Sequence, residues 1–263
     1  MIALWLTVVL IVFAATWGIG GILVTFSKKK AKFAPISNYL PILGNLTIVA
    51  FTILLWIRLD RPPMRTIAET RLWYSVFISW ITWLIFFHTK EILVYWIGFI
   101  MTFVFLLTDI IHPEYQSKAL MPALQSPWFI PHVVVYMIAY AVLGIAWLSS
   151  IIGIFSKQPT ENIISVAIKL AYIGFGLLTL GMLMGALWAK IAWGNYWSWD
   201  PKETWALLTW LFYLLAIHIH YAYPKKKKLL LWLFTLSFIV LLITWFGIRY
   251  VAPASPSVHI YAQ

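Results

Sequence analysis

Eight apolar stretches, each long enough to cross a lipid bilayer, constrain the fold of this chain more than any other feature. A span takes roughly 20 apolar residues in helical form. We therefore expect an all-α fold, a polytopic membrane helical bundle of about eight transmembrane helices. The predicted spans are Ile2–Phe26, Tyr39–Ile57, Leu72–Phe87, Ile92–Thr108, His132–Phe155, Ile163–Trp188, Trp205–Tyr223 and Leu229–Ile248.

The composition excludes a soluble protein, because 63% of the 263 residues are hydrophobic and only 10% are charged. The net charge of +11 therefore indicates cytoplasmic loops and contact with the lipid bilayer, and no nucleic acid is expected as a partner. The absence of cysteine excludes disulfides, thiolate metal sites and a cysteine nucleophile on this chain. We expect a retained first helix and a single integral membrane domain over residues 1–263.

Two lysine clusters predict the orientation. The clusters at 28–32 and 225–228 are separated by six spans and so lie on one side, which the positive-inside rule makes cytoplasmic. Both termini and the connections 58–71, 109–131 and 189–204 are then expected outside. The first of these connections opposes the rule because it carries Arg58, Arg61, Arg65 and Arg71. We expect these arginines to meet an acidic group, such as the propionates of a ligand.

The most unusual stretch is Trp193-Gly-Asn-Tyr-Trp-Ser-Trp-Asp-Pro-Lys-Glu-Thr-Trp205, called the aromatic segment below. Aromatic side chains with a polar edge suit the membrane–water interface, but an ordinary belt has one or two of them per helix end. Four tryptophans in one connection predict instead a surface for a large, flat, partly apolar ligand. A dense interfacial belt is the alternative.

Three histidines are candidates for binding chemistry. His132 and His259, both predicted outside, could supply two axial nitrogens to a haem iron, since neutral imidazole is a common iron ligand. The alternative is that both are interfacial and bind nothing. His218 lies inside the seventh span, where an ionisable side chain is costly and is a functional candidate. His218 and His220 are not expected to bind one metal ion together, because residues two apart on a helix point in different directions.

Asp200-Pro201-Lys202-Glu203 predicts a helix start, with Asp200 as N-cap, proline at the first helical position and Glu203 at the third. This structural role competes with an acid–base role, and we favour the structural one. Gly181 and Gly185 in the sixth span predict close packing of two helices.

The aromatic segment resembles the tryptophan-rich WWD signature of the haem-handling proteins of cytochrome c biogenesis, a superfamily that includes CcsA (ResC), CcmC and CcmF. Its Asp-Pro-Lys-Glu-Thr-Trp ending is more similar to CcsA than to CcmC. The likeness covers most of the chain from about Arg58 onward, with the WWD segment at 188–205, whereas the helices in 1–57 are less typical. It includes Pro63–Glu69, Ser126–His132, Gly185–Ala189, Trp205–His218 and His259.

The resemblance implies a haem-binding, haem-presenting subunit of a cytochrome c synthetase (system II) in the bacterial inner membrane. Haem b would be held at the outer face, with His132 and His259 as axial ligands of the iron, and His218 would contact haem within the membrane. Haem would then be delivered for thioether attachment to the Cys-x-x-Cys-His segment of an apocytochrome c. The implied haem-binding residues of the segment are Trp193, Gly194, Tyr196, Trp197, Trp199, Asp200 and Trp205.

A second subunit of the CcsB (ResB) type is also implied, because the large external domain of that partner is missing here. The chain is therefore expected to be one component of a haem–apocytochrome c ligase. A haem carrier of the CcmC type, without ligation activity, is the nearest alternative. A membrane enzyme for a polyprenyl-linked substrate is an alternative of another class, in which Asp200 or Glu203 would be catalytic and the histidines dispensable.

Overall fold

The structure, a computed structural model, describes residues 2–27, 34–112, 122–156 and 161–247. Within these ranges every regular element is a helix. A short 3₁₀ helix, Pro122–Gln125, precedes the fifth α-helix, and a π-helix, Ile243–Gly247, follows the eighth. The α-helices are α1 (Ile2–Ser27), α2 (Ala34–Leu59), α3 (Ile67–Thr89), α4 (Ile92–Ile111), α5 (Phe129–Phe155), α6 (Glu161–Trp193), α7 (Pro201–Ala222) and α8 (Lys227–Leu242).

The predicted membrane architecture is confirmed. Each predicted span overlaps a different α-helix, and eight helices of the described chain are long and apolar enough to cross a membrane. The boundaries around the aromatic segment differ from the prediction, because α6 continues to Trp193 and α7 already begins at Pro201. Trp193 and Trp205 are thus helical residues, and only 194–200 form a loop.

The chain divides into two compact units, residues 1–119 and 120–263. The first contains α1 to α4 and the second contains α5 to α8. The single membrane domain expected from the sequence stays a prediction, since two compact units can belong to one domain or to two.

Buried hydrogen bonds join three helices of the first unit. The Trp17 indole N–H donates to the Asn45 side-chain oxygen at 2.9 Å, and the Tyr95 hydroxyl donates to the Trp17 carbonyl at 2.6 Å. Trp17, Asn45 and Tyr95 are fully buried. A polar group buried without a partner is costly, so these bonds fix how α1, α2 and α4 face each other.

Two buried ion pairs fasten the arginine-rich connection of the first unit. The Arg61 guanidinium binds both carboxylate oxygens of Glu69, at 2.7 and 2.9 Å, and Arg71 binds Asp109 at 2.5 Å. Glu69 and Asp109 are 0% exposed. The acidic groups that Arg61 and Arg71 meet are therefore carboxylates of the chain itself, and the expectation of an external acidic ligand is wrong for these two.

In the second unit α5 and α6 lie antiparallel along each other. Ile154, near the end of α5, packs with Ile164, near the start of α6. At the other end of the pair, the rings of Phe129 and Trp188 lie 5.3 Å apart between centroids. The beginning of α5 is thereby held beside the end of α6, from which the aromatic segment continues.

Replacing Glu69 by alanine should lower the free energy of unfolding by about 3–5 kcal/mol, because the Arg61 guanidinium would remain buried without its partner. Unfolding of the detergent-solubilised protein, followed by circular dichroism, measures this. The matched control is Glu161→Ala, which breaks the exposed pair with Lys227 and should cost less than about 1 kcal/mol. Equal losses in the two variants would contradict the assignment.

Candidate functional site

The loop of the aromatic segment begins at Gly194, directly after α6 ends at Trp193. This glycine has a φ of +85°, a left-handed conformation that a side chain would disfavour. The Lys190 ammonium donates to the Gly194 carbonyl at 2.8 Å and lies 5.4 Å from the centre of the Tyr196 ring. Lys190 thus both closes the end of α6 and holds Tyr196 through a cation–π contact.

The start of α7 is the capping box that the sequence predicts. The Asp200 carboxylate accepts from the Lys202 N–H at 2.8 Å, Pro201 occupies the first turn, and the Glu203 carboxylate accepts from the Asp200 N–H at 3.2 Å. Only 7% of Asp200 is exposed. Both carboxylates are therefore engaged in helix capping, and the structural interpretation of this pair is confirmed.

The neighbouring indoles at the aromatic segment are inclined to each other and do not lie in one plane. The rings of Trp197 and Trp199 are 5.9 Å apart and inclined by 84°, while those of Trp188 and Trp193 are 4.8 Å apart and inclined by 59°. Trp188 is only 1% exposed, so the Trp188–Trp193 pair is part of the packed end of α6. Tyr196 and Trp199 are the most open members, with 56% and 69% of their surface exposed.

Trp205 has a different position from the loop residues, inside the first turns of α7. Its carbonyl accepts a hydrogen bond from Thr244 at 3.1 Å, and the hydroxyls of Thr244 and Thr209 are 3.0 Å apart. Since Thr244 lies in the π-helix that follows α8, these hydrogen bonds join the start of α7 to the end of the described chain.

His132 lies against the end of α6, close to the residues that lead into the loop. Its ring is 5.4 Å from that of Trp188 and 4.8 Å from that of Tyr136. The ring nitrogen Nδ1 is 2.8 Å from the Gly181 carbonyl oxygen. A carbonyl can only accept, so Nδ1 carries the proton, and in the neutral ring the lone pair is then on Nε2.

Gly185 makes this position of His132 possible. A Cβ at residue 185 would lie 2.7 Å from Cε1 and 2.9 Å from Nδ1 of the histidine, closer than atoms can approach. The predicted close packing at Gly181 and Gly185 is thus observed. On the facing helix, α5, the candidate iron ligand His132 packs against Gly185. The sequence shows the glycine spacing but not that His132 fills the space.

His218 lies far from the loop, about 26 Å along the axis of α7 from Pro201 at about 1.5 Å per residue. Its side chain is exposed, and Nδ1 donates to the Leu214 carbonyl of the same helix at 2.8 Å. His220 faces elsewhere and lies 6.1 Å from the Tyr172 ring. His218 therefore does not lie at the aromatic loop, and His259 lies outside the described residues.

The family model described as cytochrome c assembly protein matches residues 72–254, most of the chain. A CcsA cytochrome c biogenesis protein from Chlamydomonas reinhardtii is 46% identical over 114 residues, which are 39% of this chain and 32% of that protein. One from Prochlorococcus marinus strain MIT 9515 is 34% identical over 168 residues, 51% of this chain and 54% of the relative. The match thus takes in about half the length of this relative and less of the algal one.

Among solved structures, the cytochrome c haem lyase CcmF is similar, with a TM-score of 0.74 and 16% sequence identity over 94% of this chain and 47% of that chain. At that identity the likeness concerns the fold. The family match over 72–254 is the stronger finding, and it agrees with the resemblance seen in the aromatic segment. The chain therefore belongs to the cytochrome c assembly protein family and is an integral membrane protein.

Proposed function

We propose that this chain is the haem-binding and haem-presenting membrane subunit of a cytochrome c synthetase. The observation that carries this proposal is His132, oriented by its neighbours at the end of α6, beside the entrance to an exposed aromatic loop. The proposed subunit holds haem b at the outer face of a bacterial inner membrane, and both of its termini lie on that same side. His132 and His259 are the proposed axial ligands of the haem iron.

The hydrogen bond from His132 Nδ1 to the Gly181 carbonyl supports iron ligation through Nε2. Metal-binding histidines commonly donate their other ring N–H to a carbonyl or carboxylate, which fixes the tautomer and the ring plane. Trp188 and Gly185 hold the same ring from its sides. The imidazole is therefore oriented before a ligand arrives, and less conformational entropy is lost on binding.

The loop provides groups that fit a porphyrin. Trp199 and Tyr196 offer open aromatic surface for its apolar ring. The buried indole N–H of Trp197 has no acceptor among the described residues, a donor that a propionate carboxylate would satisfy. At Gly194 a Cβ would meet nothing within 4 Å, so the backbone is open to close approach. Trp193, Asp200 and Trp205 belong to the proposed site as its frame at the two helix ends.

The proposed contribution to the reaction is positioning. Two imidazoles hold the iron while the vinyl edge of the porphyrin stays reachable for the Cys-x-x-Cys-His segment of an apocytochrome c. Each thioether forms by addition of a cysteine S–H across a vinyl group, with no leaving group. Both thiols come from the substrate, in keeping with a chain that contains no cysteine. Holding the two reactants in one geometry lowers the entropic part of the barrier.

His218 supports the presence of a CcsB-type partner. Its exposed ring can contact haem only at the surface of its own unit. A haem site at this surface would therefore need residues of a second subunit to enclose it. On α7 the exposed residues are Leu211, Leu215, His218, Tyr221 and Ala222, and this stripe is available to a neighbouring subunit. We propose that the partner covers this face and contributes to an intramembrane haem contact at His218.

Protein purified from haem-replete cells, alone and with its partner, should have a Soret band. Replacing His132 and His259 together by alanine should lower haem occupancy or shift the Soret maximum, because both proposed iron ligands are lost. The control is His88→Ala, an exposed histidine of the first unit, which should leave the spectrum as it is. A colourless parent protein, or a double variant with the parent spectrum, would refute the proposal.

Gly185→Ala should disturb haem ligation without removing a ligand, because the new methyl group would displace the His132 ring. Absorption spectra of the haem-loaded protein report the change. Gly176→Ala in the same helix is the matched control, since a Cβ there meets nothing within 4 Å. This control should keep the spectrum and gain up to about 1 kcal/mol of stability from helix propensity. The same spectrum in both variants would argue against His132 as ligand.

Asp200→Ala should lower the stability of the protein by about 0.5–2 kcal/mol through loss of the N-cap, and haem retention with it. Asp200→Ser retains a capping side chain and should restore both. Thermal unfolding and haem occupancy are the measurements. A polyprenyl-substrate enzyme with Asp200 as its catalytic acid makes the opposite prediction, that Asp200→Ser folds normally, keeps bound haem, if any, and loses all turnover.

A further inference from the structure

Glu203 makes more hydrogen bonds than a helix cap requires. In a capping box the residue at the third helical position accepts from the N–H of the N-cap residue. Glu203 does so with Asp200, but the same oxygen, Oε2, also accepts from the Ser198 N–H at 2.8 Å and lies 3.3 Å from the Ser198 hydroxyl. The carboxylate therefore binds the backbone on both sides of Trp199.

Trp199 has an uncommon backbone conformation for a bulky residue. Its φ is +59°, in the left-handed region, and burial does not stabilise it because 69% of the residue is exposed. Its carbonyl accepts from the Thr204 hydroxyl at 3.4 Å. The stabilising contacts thus act on the backbone around Trp199, while its indole stands open.

The capping box of α3 provides an internal comparison. There Glu69 accepts from the N–H groups of Arg65 and Thr66, two consecutive residues, and Arg65 is not among the residues with positive φ. Glu203 passes over Trp199 and binds Ser198 instead. A capping box alone therefore does not force the preceding residue into the left-handed conformation. In α7, where that residue is left-handed, Glu203 also binds the Ser198 N–H.

We propose that Glu203 is a positioning residue for haem binding, which holds Trp199 in the left-handed conformation so that its indole is presented to the porphyrin. This inference rests on the proposed function. Glu203 does not touch haem and acts through Trp199. Because the Trp199 ring meets Trp197 nearly edge-on, at 84°, fixing the backbone of Trp199 also fixes the arrangement of the pair.

The size of the expected effect follows from the cost of the left-handed state. Without the carboxylate, the population of the presented conformation should fall about 5- to 30-fold, the factor that corresponds to the usual penalty of about 1–2 kcal/mol for a residue with a side chain. A glutamine at 203 retains an oxygen acceptor for both N–H groups, so Glu203→Gln should keep most of the haem affinity of the parent.

A double-mutant cycle of Glu203→Ala and Trp199→Ala tests the proposal. Haem affinity is measured by Soret titration and stability by thermal unfolding. Glu203→Ala should lower the affinity in the parent and have no further effect on it in the Trp199→Ala background, with recovery in Glu203→Gln. A role in capping alone would lower affinity and stability equally in both backgrounds, and that result would overturn the proposal.

A second measurement does not depend on haem. Since the chain has no cysteine, Asn195→Cys gives a single site for a nitroxide spin label within the loop. Glu203→Ala should sharpen the spectrum of the label as the loop loses its clamp, and Glu203→Gln should not. An unchanged spectrum in Glu203→Ala overturns the proposal. A sharpened spectrum in a protein that binds haem in no variant refutes the proposed function and the haem role, and leaves Glu203 as the clamp of Trp199.

Discussion

The close packing of α5 against α6 is the interaction on which the candidate site depends. Glycine at 185 leaves room for the ring of His132, and the Gly181 carbonyl accepts its N–H. In a membrane, where apolar surface alone gives helices little reason to associate, such small-residue contacts and interhelical hydrogen bonds set the geometry. One contact therefore both aligns two helices and orients the side chain proposed to bind iron.

The aromatic loop depends on a different principle, the capping of a helix end. The first N–H groups of a helix need acceptors, and Asp200 and Glu203 supply them locally. Glu203 extends the same chemistry to Ser198 and thereby shapes the loop before the helix. The carboxylates that look like a catalytic pair in the sequence are thus engaged in building the loop, and the open indole of Trp199 is one result of that construction.

Two buried ion pairs set the arrangement of helices in the first unit. Glu69 and Asp109 are fully buried. The Arg61–Glu69 pair holds the connection between α2 and α3 to the start of α3, and the Arg71–Asp109 pair joins α3 to α4. A buried pair contributes little net stability, but loss of one partner is costly, so such pairs fix one arrangement. Arg65 is also buried there, and its nitrogen Nη1 has no hydrogen-bond partner among the described residues.

The eight helices could be predicted from the sequence, because apolar length is a local property. The start of α7 could be predicted too, because Asp200, Pro201 and Glu203 act within one turn. The sequence also indicated which histidines and tryptophans to consider. Tertiary packing was needed to show that His132 fills the space at Gly185 and that Arg61 and Arg71 meet Glu69 and Asp109. These relations join residues distant in the chain or depend on ring and backbone angles, such as the left-handed Trp199, which no spacing in the sequence encodes.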